Sequence, residues 1–142
     1  MNGRRLILPF PPTLNHNVSR NGKRYFHDKD YDAFIQAVGM IWRVNKPKEW
    51  DPSRRFGVNV LLVYNSRRRY DVDNRVKPIL DAFTKAGVWT DDSQVDSIYV
   101  ERGEIDKDEP RAEVTVFPLR QSTFERKSGF REMKEPKQCL KR

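Results

Sequence analysis

Phe56-Gly57-Val58-Asn59-Val60-Leu61-Leu62-Val63-Tyr64, and then Val76-Lys77-Pro78-Ile79-Leu80-Asp81-Ala82-Phe83, are the two stretches whose change of period decides the fold. In the first, Phe56, Val58, Val60, Leu62 and Tyr64 fall on one side, and Asn59, Leu61 and Val63 on the other. That is a strand with both faces at least partly covered. In the second, Val76, Ile79, Leu80 and Phe83 recur at i, i+3, i+4 and i+7, the stripe of a helix packed on one side. Asp73 or Asn74 is placed to cap this helix and Gly87 to end it. Pro78 is compatible with it near the first turn; with Asn74 as the cap it removes one backbone bond.

Working outward, Leu6-Ile7-Leu8 reads as a short strand ended by Pro9-Phe10-Pro11-Pro12, with a polar loop from Thr13 to His27. From about Asp28 to Asn45, Tyr31, Phe34, Ile35, Val38, Ile41 and Trp42 keep helical spacing, an aromatic stripe read here as core. Asp28, Asp30 and Asp32 near its start suit the positive end of the helix dipole, and Pro47 lies beyond its end. Val95 to Arg102 and Arg111 to Phe117 read as two further strands, expected to form a hairpin across the polar turn Asp106 to Pro110. The order β-α-β-α-β-β predicts an α/β (α+β) fold, a small mixed four-stranded sheet with two packed helices. Residues 119–142 show no sustained apolar period and are expected to form a flexible basic tail, able to turn helical on binding. The expected domain is therefore 1–118.

The 142 residues suit one domain with one core. No apolar run approaches the roughly 18 residues of a membrane span. After the charged Met1-Asn2-Gly3-Arg4-Arg5, the apolar stretch Leu6-Ile7-Leu8 is too short for a signal peptide, so the expected address is cytoplasmic, away from membranes. Cys139 is the only cysteine, which excludes an intrachain disulfide and a multi-cysteine zinc site. His16 and His27 lack the spacing of a helical zinc motif. Carboxylates are the chemistry available. The net charge of +8 favours a polyanionic partner such as nucleic acid. Residues 1–118 hold 20 Lys+Arg against 17 Asp+Glu, a net of +3, and residues 119–142 hold 8 against 3, a net of +5.

Asp71 and Asp73 are two apart directly before the second helix, and on extended backbone they would project to the same side. Carboxylates held together repel, a conflict that a divalent cation between them resolves; the plainer use of either is to cap the helix. Asp91-Asp92 follow the helix and would approach the first pair if the helix crosses back over the sheet; otherwise they mark a polar turn. Magnesium keeps several waters, so two or three such carboxylates plus a phosphate suffice, and sites of this kind activate water for phosphodiester cleavage. Lys77 lies four residues after Asp73, where an ammonium forms an ordinary ion pair or neutralises charge at a scissile phosphate. Asp81, four residues further on, is placed to fix that lysine. Arg67-Arg68-Arg69 is either a solvated charge run or a means of drawing a DNA backbone onto acids that would repel it. In the Thr13 to His27 loop, Asn15, Lys23 and Arg24 suit phosphate contacts.

Arg67-Arg68-Arg69-Tyr70-Asp71-Val72-Asp73-Asn74, then Lys77, then Asp81-Ala82-Phe83-Thr84-Lys85-Ala86-Gly87-Val88-Trp89-Thr90-Asp91-Asp92-Ser93-Gln94-Val95, resembles the signature block of the RusA family of Holliday-junction resolvases, crossover junction endodeoxyribonucleases. Leu8-Pro9-Phe10-Pro11-Pro12 and Asn15 also resemble that family's N-terminal strand and loop, so the resemblance covers roughly residues 4–118. It implies a homodimeric hydrolase that depends on magnesium, with manganese able to substitute, and nicks four-way DNA junctions symmetrically in recombination and repair. The implied catalytic residues are Asp71, Asp73, Asp92 and Lys77. The implied metal ligands are Asp71, Asp73 and Asp92, with Asp91 adjacent. Arg67, Arg68, Arg69, Lys23, Arg24 and Asn15 are the expected DNA contacts. Pro78, directly after the lysine, and the tail after Pro118 depart from the pattern. The alternatives are a non-cutting junction-binding protein and a metal-dependent nuclease acting on flaps or RNA. A binder gains nothing from acids turned toward phosphate.

Overall fold

The computed structural model describes residues 2–13, 29–69 and 71–120. Four strands form one mixed sheet: β1 (Arg4–Pro9), β2 (Phe56–Val63), β3 (Val95–Arg102) and β4 (Arg111–Pro118). Two helices, α1 (Lys29–Asn45) and α2 (Val76–Ala86), complete the order β-α-β-α-β-β expected from the sequence. Asp28, the expected first residue of α1, lies outside the described residues.

The expected hairpin does not form. The strand order is β1-β4-β2-β3, so β4 enters between β1 and β2, and β3 becomes an edge. Val114 pairs antiparallel with both Leu6 and Val60, while Val60 on its other side faces Val100 of β3 in parallel register. Burial explains the choice. In β4 the alternate residues Ala112, Val114 and Val116 are wholly buried, whereas no residue of β3 is buried. The more apolar strand takes the central place, where both neighbours cover it. The link between them passes over the end of β2, with Gly103 N–H donating to Leu62 O (2.8 Å) and Asp106 N–H to Tyr64 O (2.9 Å). Parallel neighbours require a crossover, and α2 with its flanking turns supplies it from β2 to β3.

The predicted inward face of β2, Phe56, Val58, Val60, Leu62 and Tyr64, is buried throughout and meets both helices. From α1 come Tyr31, Phe34, Val38 and Trp42; from α2 come Pro78, Ile79, Ala82 and Phe83. The Arg4 guanidinium donates to Asn45 O (2.7 Å), satisfying a carbonyl at the C-terminal end of α1.

Aromatic rings link the elements across the core. Trp42 meets Trp50 edge-on, Trp50 stacks on Phe56 with centroids 5.3 Å apart, and Trp89 lies between Phe56 and Phe83. Trp50 Nε1–H also donates to Val88 O at 2.7 Å, fastening the segment before β2 to the residues just beyond α2. Trp50→Phe keeps a ring in the stack but leaves that buried carbonyl without its donor. The expected loss is about 1–3 kcal/mol of stability, read as a lower denaturant midpoint with an unchanged m-value. An unchanged midpoint would show that the bond contributes nothing.

Candidate active site

The acidic residues are carried by the two ends of α2. A 3-10 turn, Asp73–Arg75, leads into the helix, and the residue before it, Val72, already has helical dihedrals (φ −68°, ψ −32°). The extended backbone expected to turn Asp71 and Asp73 to one side is therefore absent between them, because the turn begins early. Neither Asp73 nor Asn74 caps α2 through its side chain: Arg75 occupies the preceding position, and no side-chain cap is made. Asp73 instead opens the 3-10 turn that leads into α2, and both Asp71 and Asp73 are exposed. With α2 beginning at Val76, Pro78 is its third residue and forfeits no intrahelical bond. Arg75 donates to Pro11 O at 2.5 Å and sits over the Phe10 ring (4.9 Å), tying the acidic turn to the end of β1.

At the other end, Gly87 at φ 77° terminates the helix, as its position in the sequence indicates. Gly87 N–H bonds to Thr84 O and Val88 N–H to Phe83 O, the paired bonds of a Schellman motif. Val88 and Trp89 then drop into the core, and Trp89 Nε1–H donates to Thr84 Oγ1 at 2.7 Å. The chain emerges into a second 3-10 turn, Asp92–Gln94, built as a capping box. Asp91 accepts from Ser93 N–H (2.8 Å), and Gln94 Oε1 accepts from the N–H groups of Asp91 and Thr90. The Gln94 amide donates to Pro52 O and Arg54 O, anchoring the turn to the segment before β2. The bonds from Ser93 hold the Asp91 carboxyl below its ordinary range.

This construction separates the adjacent acids. Asp91 turns inward on its own turn, while Asp92 reaches across to α2. Lys77 Nζ lies 3.0 Å from Asp92 Oδ2 and 2.6 Å from Asp81 Oδ1. The expectation that Asp81 fixes Lys77 is met in this geometry. The two carboxylates, Asp81 first and Asp92 second, hold the lysine in its charged form well above the usual ammonium range. The other Asp81 oxygen accepts from the Tyr31 hydroxyl of α1 at 2.8 Å. Among the described residues, no three His, Cys, Asp or Glu side chains are grouped so as to hold a metal ion by themselves.

Arg67, Arg68 and Arg69 are exposed on the connection between β2 and the acidic turn. Asn15, Lys23 and Arg24 lie outside the described residues. Three site-building residues escaped the sequence reading. Tyr31 was legible only as core, since nothing in its spacing reveals where its hydroxyl points. Arg75 carries no motif. Gln94 did carry a signal: an acid followed three residues later by glutamine is the pattern of a capping box.

The sequence profile of a family described as "Endodeoxyribonuclease RusA" matches residues 9–117. A protein of Enterobacteria phage HK97 named "Crossover junction endodeoxyribonuclease rusA" is 35% identical over 72% of this chain and 85% of its own length. Proteins of the same name from Enterobacteria phage 82 and Escherichia coli strain K12 are 34% and 33% identical, each over 67% of this chain and 78% of their own lengths. The matched span takes in both ends of α2, Lys77 and all four acids.

The Tyr31 contact sets a pH dependence. Burial and then the bond to Asp81 push its phenol from 10.0 up to about 12. Between those values an unfolded chain releases a proton that the folded protein retains, so this contribution to stability is full below pH 10 and is lost as pH rises toward 12. Tyr31→Phe removes the effect and should flatten the fall, checked by denaturant unfolding of both proteins at about pH 9 and about pH 11. Parallel declines for the two would contradict it.

Proposed function

The chain belongs to the RusA family, and on that premise we propose that it is a Holliday-junction-cutting endonuclease of DNA recombination and repair, dependent on magnesium and making paired, symmetric nicks. The observation that carries the reading is the Lys77 ammonium held against Asp92 on a helix whose lead-in turn carries Asp73. Nothing about packing requires this arrangement, since all of these groups are at least partly exposed.

The donor chemistry fits a hard divalent cation. The candidate ligands are carboxylates only, without histidine or thiolate, and magnesium completes its octahedron with water and phosphate oxygens. Asp71, Asp73 and Asp92 would hold the ion, with Asp91 beside them, its carboxylate also serving as the cap. Once bound, the ion supplies a Lewis acid and a water made nucleophilic at neutral pH. The chain's own residues do the rest. Arg67, Arg68 and Arg69, with Lys23, Arg24 and Asn15, bring the backbone onto a site whose acids would otherwise repel it. Lys77 sets a positive charge beside Asp92, where it neutralises charge growing on the phosphate. A homodimer, working on DNA in the cytoplasm, is part of the same proposal, because a two-fold junction needs two equivalent cuts.

Asp71→Asn, Asp73→Asn and Asp92→Asn should each abolish junction cutting in magnesium, while junction binding in chelator stays equal to wild type or tightens. Asp108→Asn, on the connection between β3 and β4, is the control and should cut normally. Near wild-type cutting by any two of the three, or full activity of the wild type in excess chelator, would remove the site.

Residues 1–118 are proposed as the nuclease domain and the remainder as a basic extension that adds phosphate contacts without reading junction shape. Each such contact contributes about −0.9 to the salt slope of binding on duplex DNA. Deleting residues 120–142 should flatten the salt dependence and leave cutting intact at low salt. Loss of cutting there, in a folded protein, would make the extension part of the active structure.

A further inference from the structure

Asp81 has a lysine one helical turn away on either side, Lys77 and Lys85, and i, i+4 spacing makes each a possible ion-pair partner. It is Lys77 that it holds, at 2.6 Å. Tyr31 accounts for the difference. Its ring, fixed in the core at 7% exposure, receives Lys85 Nζ over its face at 5.5 Å. Its hydroxyl donates to Asp81 Oδ2 at 2.8 Å, which leaves Oδ1 turned to Lys77. One aromatic side chain from α1 thus occupies the lysine on one side and orients the carboxylate toward the other.

We infer that Tyr31 and Asp81 are positioning residues, a two-step chain from the core that aims the Lys77 ammonium at Asp92. The inference rests on the functional reading above for its consequence in catalysis, although the positioning itself is a property of the folded chain. Lys77 is about half exposed, and a lysine there would otherwise sample many rotamers. Holding it beside the metal-binding acid removes that loss from the chemical step. The ring of Tyr31 packs whether or not its oxygen is present, and Asp81 is partly exposed, so neither polar contact is needed to keep the helices together.

The test is a set of nearly isosteric variants: Tyr31→Phe, Asp81→Asn and Asp81→Glu, each alone and combined with Lys77→Met. Single-turnover junction cleavage should fall roughly fivefold in Tyr31→Phe, as for one neutral hydrogen bond. In Asp81→Asn it should fall on the order of 30-fold, as for a charged one. Asp81→Glu should recover part of the loss. Junction affinity in chelator should stay within about twofold of wild type, since the phosphate contacts are untouched. In the Lys77→Met background neither substitution should cost anything further, because groups acting through one lysine are not additive. Independently of cleavage, NMR relaxation of the Lys77 side chain in metal-free protein should show greater mobility in Tyr31→Phe and greater still in Asp81→Asn. Full, additive losses in the Lys77→Met background, or unchanged Lys77 mobility, would overturn the inference. If wild-type protein fails to cut junctions, the functional reading falls, and the relaxation measurement still decides the positioning.

Discussion

The reversal at Gly87 is the constraint on which the site depends. Among the described residues it alone has a positive φ, and a side chain at that angle would be strained. Because the helix ends there in a Schellman turn, Val88 and Trp89 are delivered directly into the core and the next four residues return toward the start of α2. The position of Asp92 therefore follows from a backbone dihedral five residues earlier. The buried bond from Trp50 to Val88 O and the Gln94 amide on Pro52 O and Arg54 O hold the returning chain from the other side.

With that return fixed, the site's electrostatics become a matter of side-chain placement on a rigid frame. Two adjacent aspartates behave differently because one closes its own turn and the other does not. One lysine stands between carboxylates from α2 and from the turn beyond it. The arginine run lies just upstream of the acids, so attraction for a polyanion and the groups that would act on it are carried on one connection. In this chain the acid–lysine cluster is thus carried by the crossover between two parallel strands, and the rest of the sheet serves as its platform.

Much of this was legible in the sequence. All six elements follow from apolar period, and Gly87 announces its turn. Two kinds of fact were not legible. Strand order was one: Arg111 to Phe117 and Val95 to Arg102 both read as strands, and adjacency in sequence favoured a hairpin. Pairing is decided by how much apolar surface each strand must cover, a comparison made across the whole sheet. Local backbone before α2 was the other. Asp-x-Asp reads as extended, yet Val72 is already helical. The block that carries the family resemblance contains the acid–lysine cluster, while two of the groups that tie it down, the Tyr31 hydroxyl on Asp81 and the Pro11 carbonyl on Arg75, come from far away in sequence.

The place of β4 has a consequence for how the molecule assembles. Its partners are β1 and β2, so the centre of the sheet joins opposite ends of the described chain, and the pairing of Leu6 with Val114 closes a loop of more than a hundred residues. Contacts of that separation raise relative contact order and slow folding. The span from Phe56 to Arg102 is different, since β2, α2 and β3 are consecutive and need no such closure. A chain halted before Arg111 would hold every residue of the acid–lysine cluster and still lack the strand that joins β1 to β2. The acid–lysine cluster is encoded locally, and the stability that supports it waits for the end of the sheet to be made.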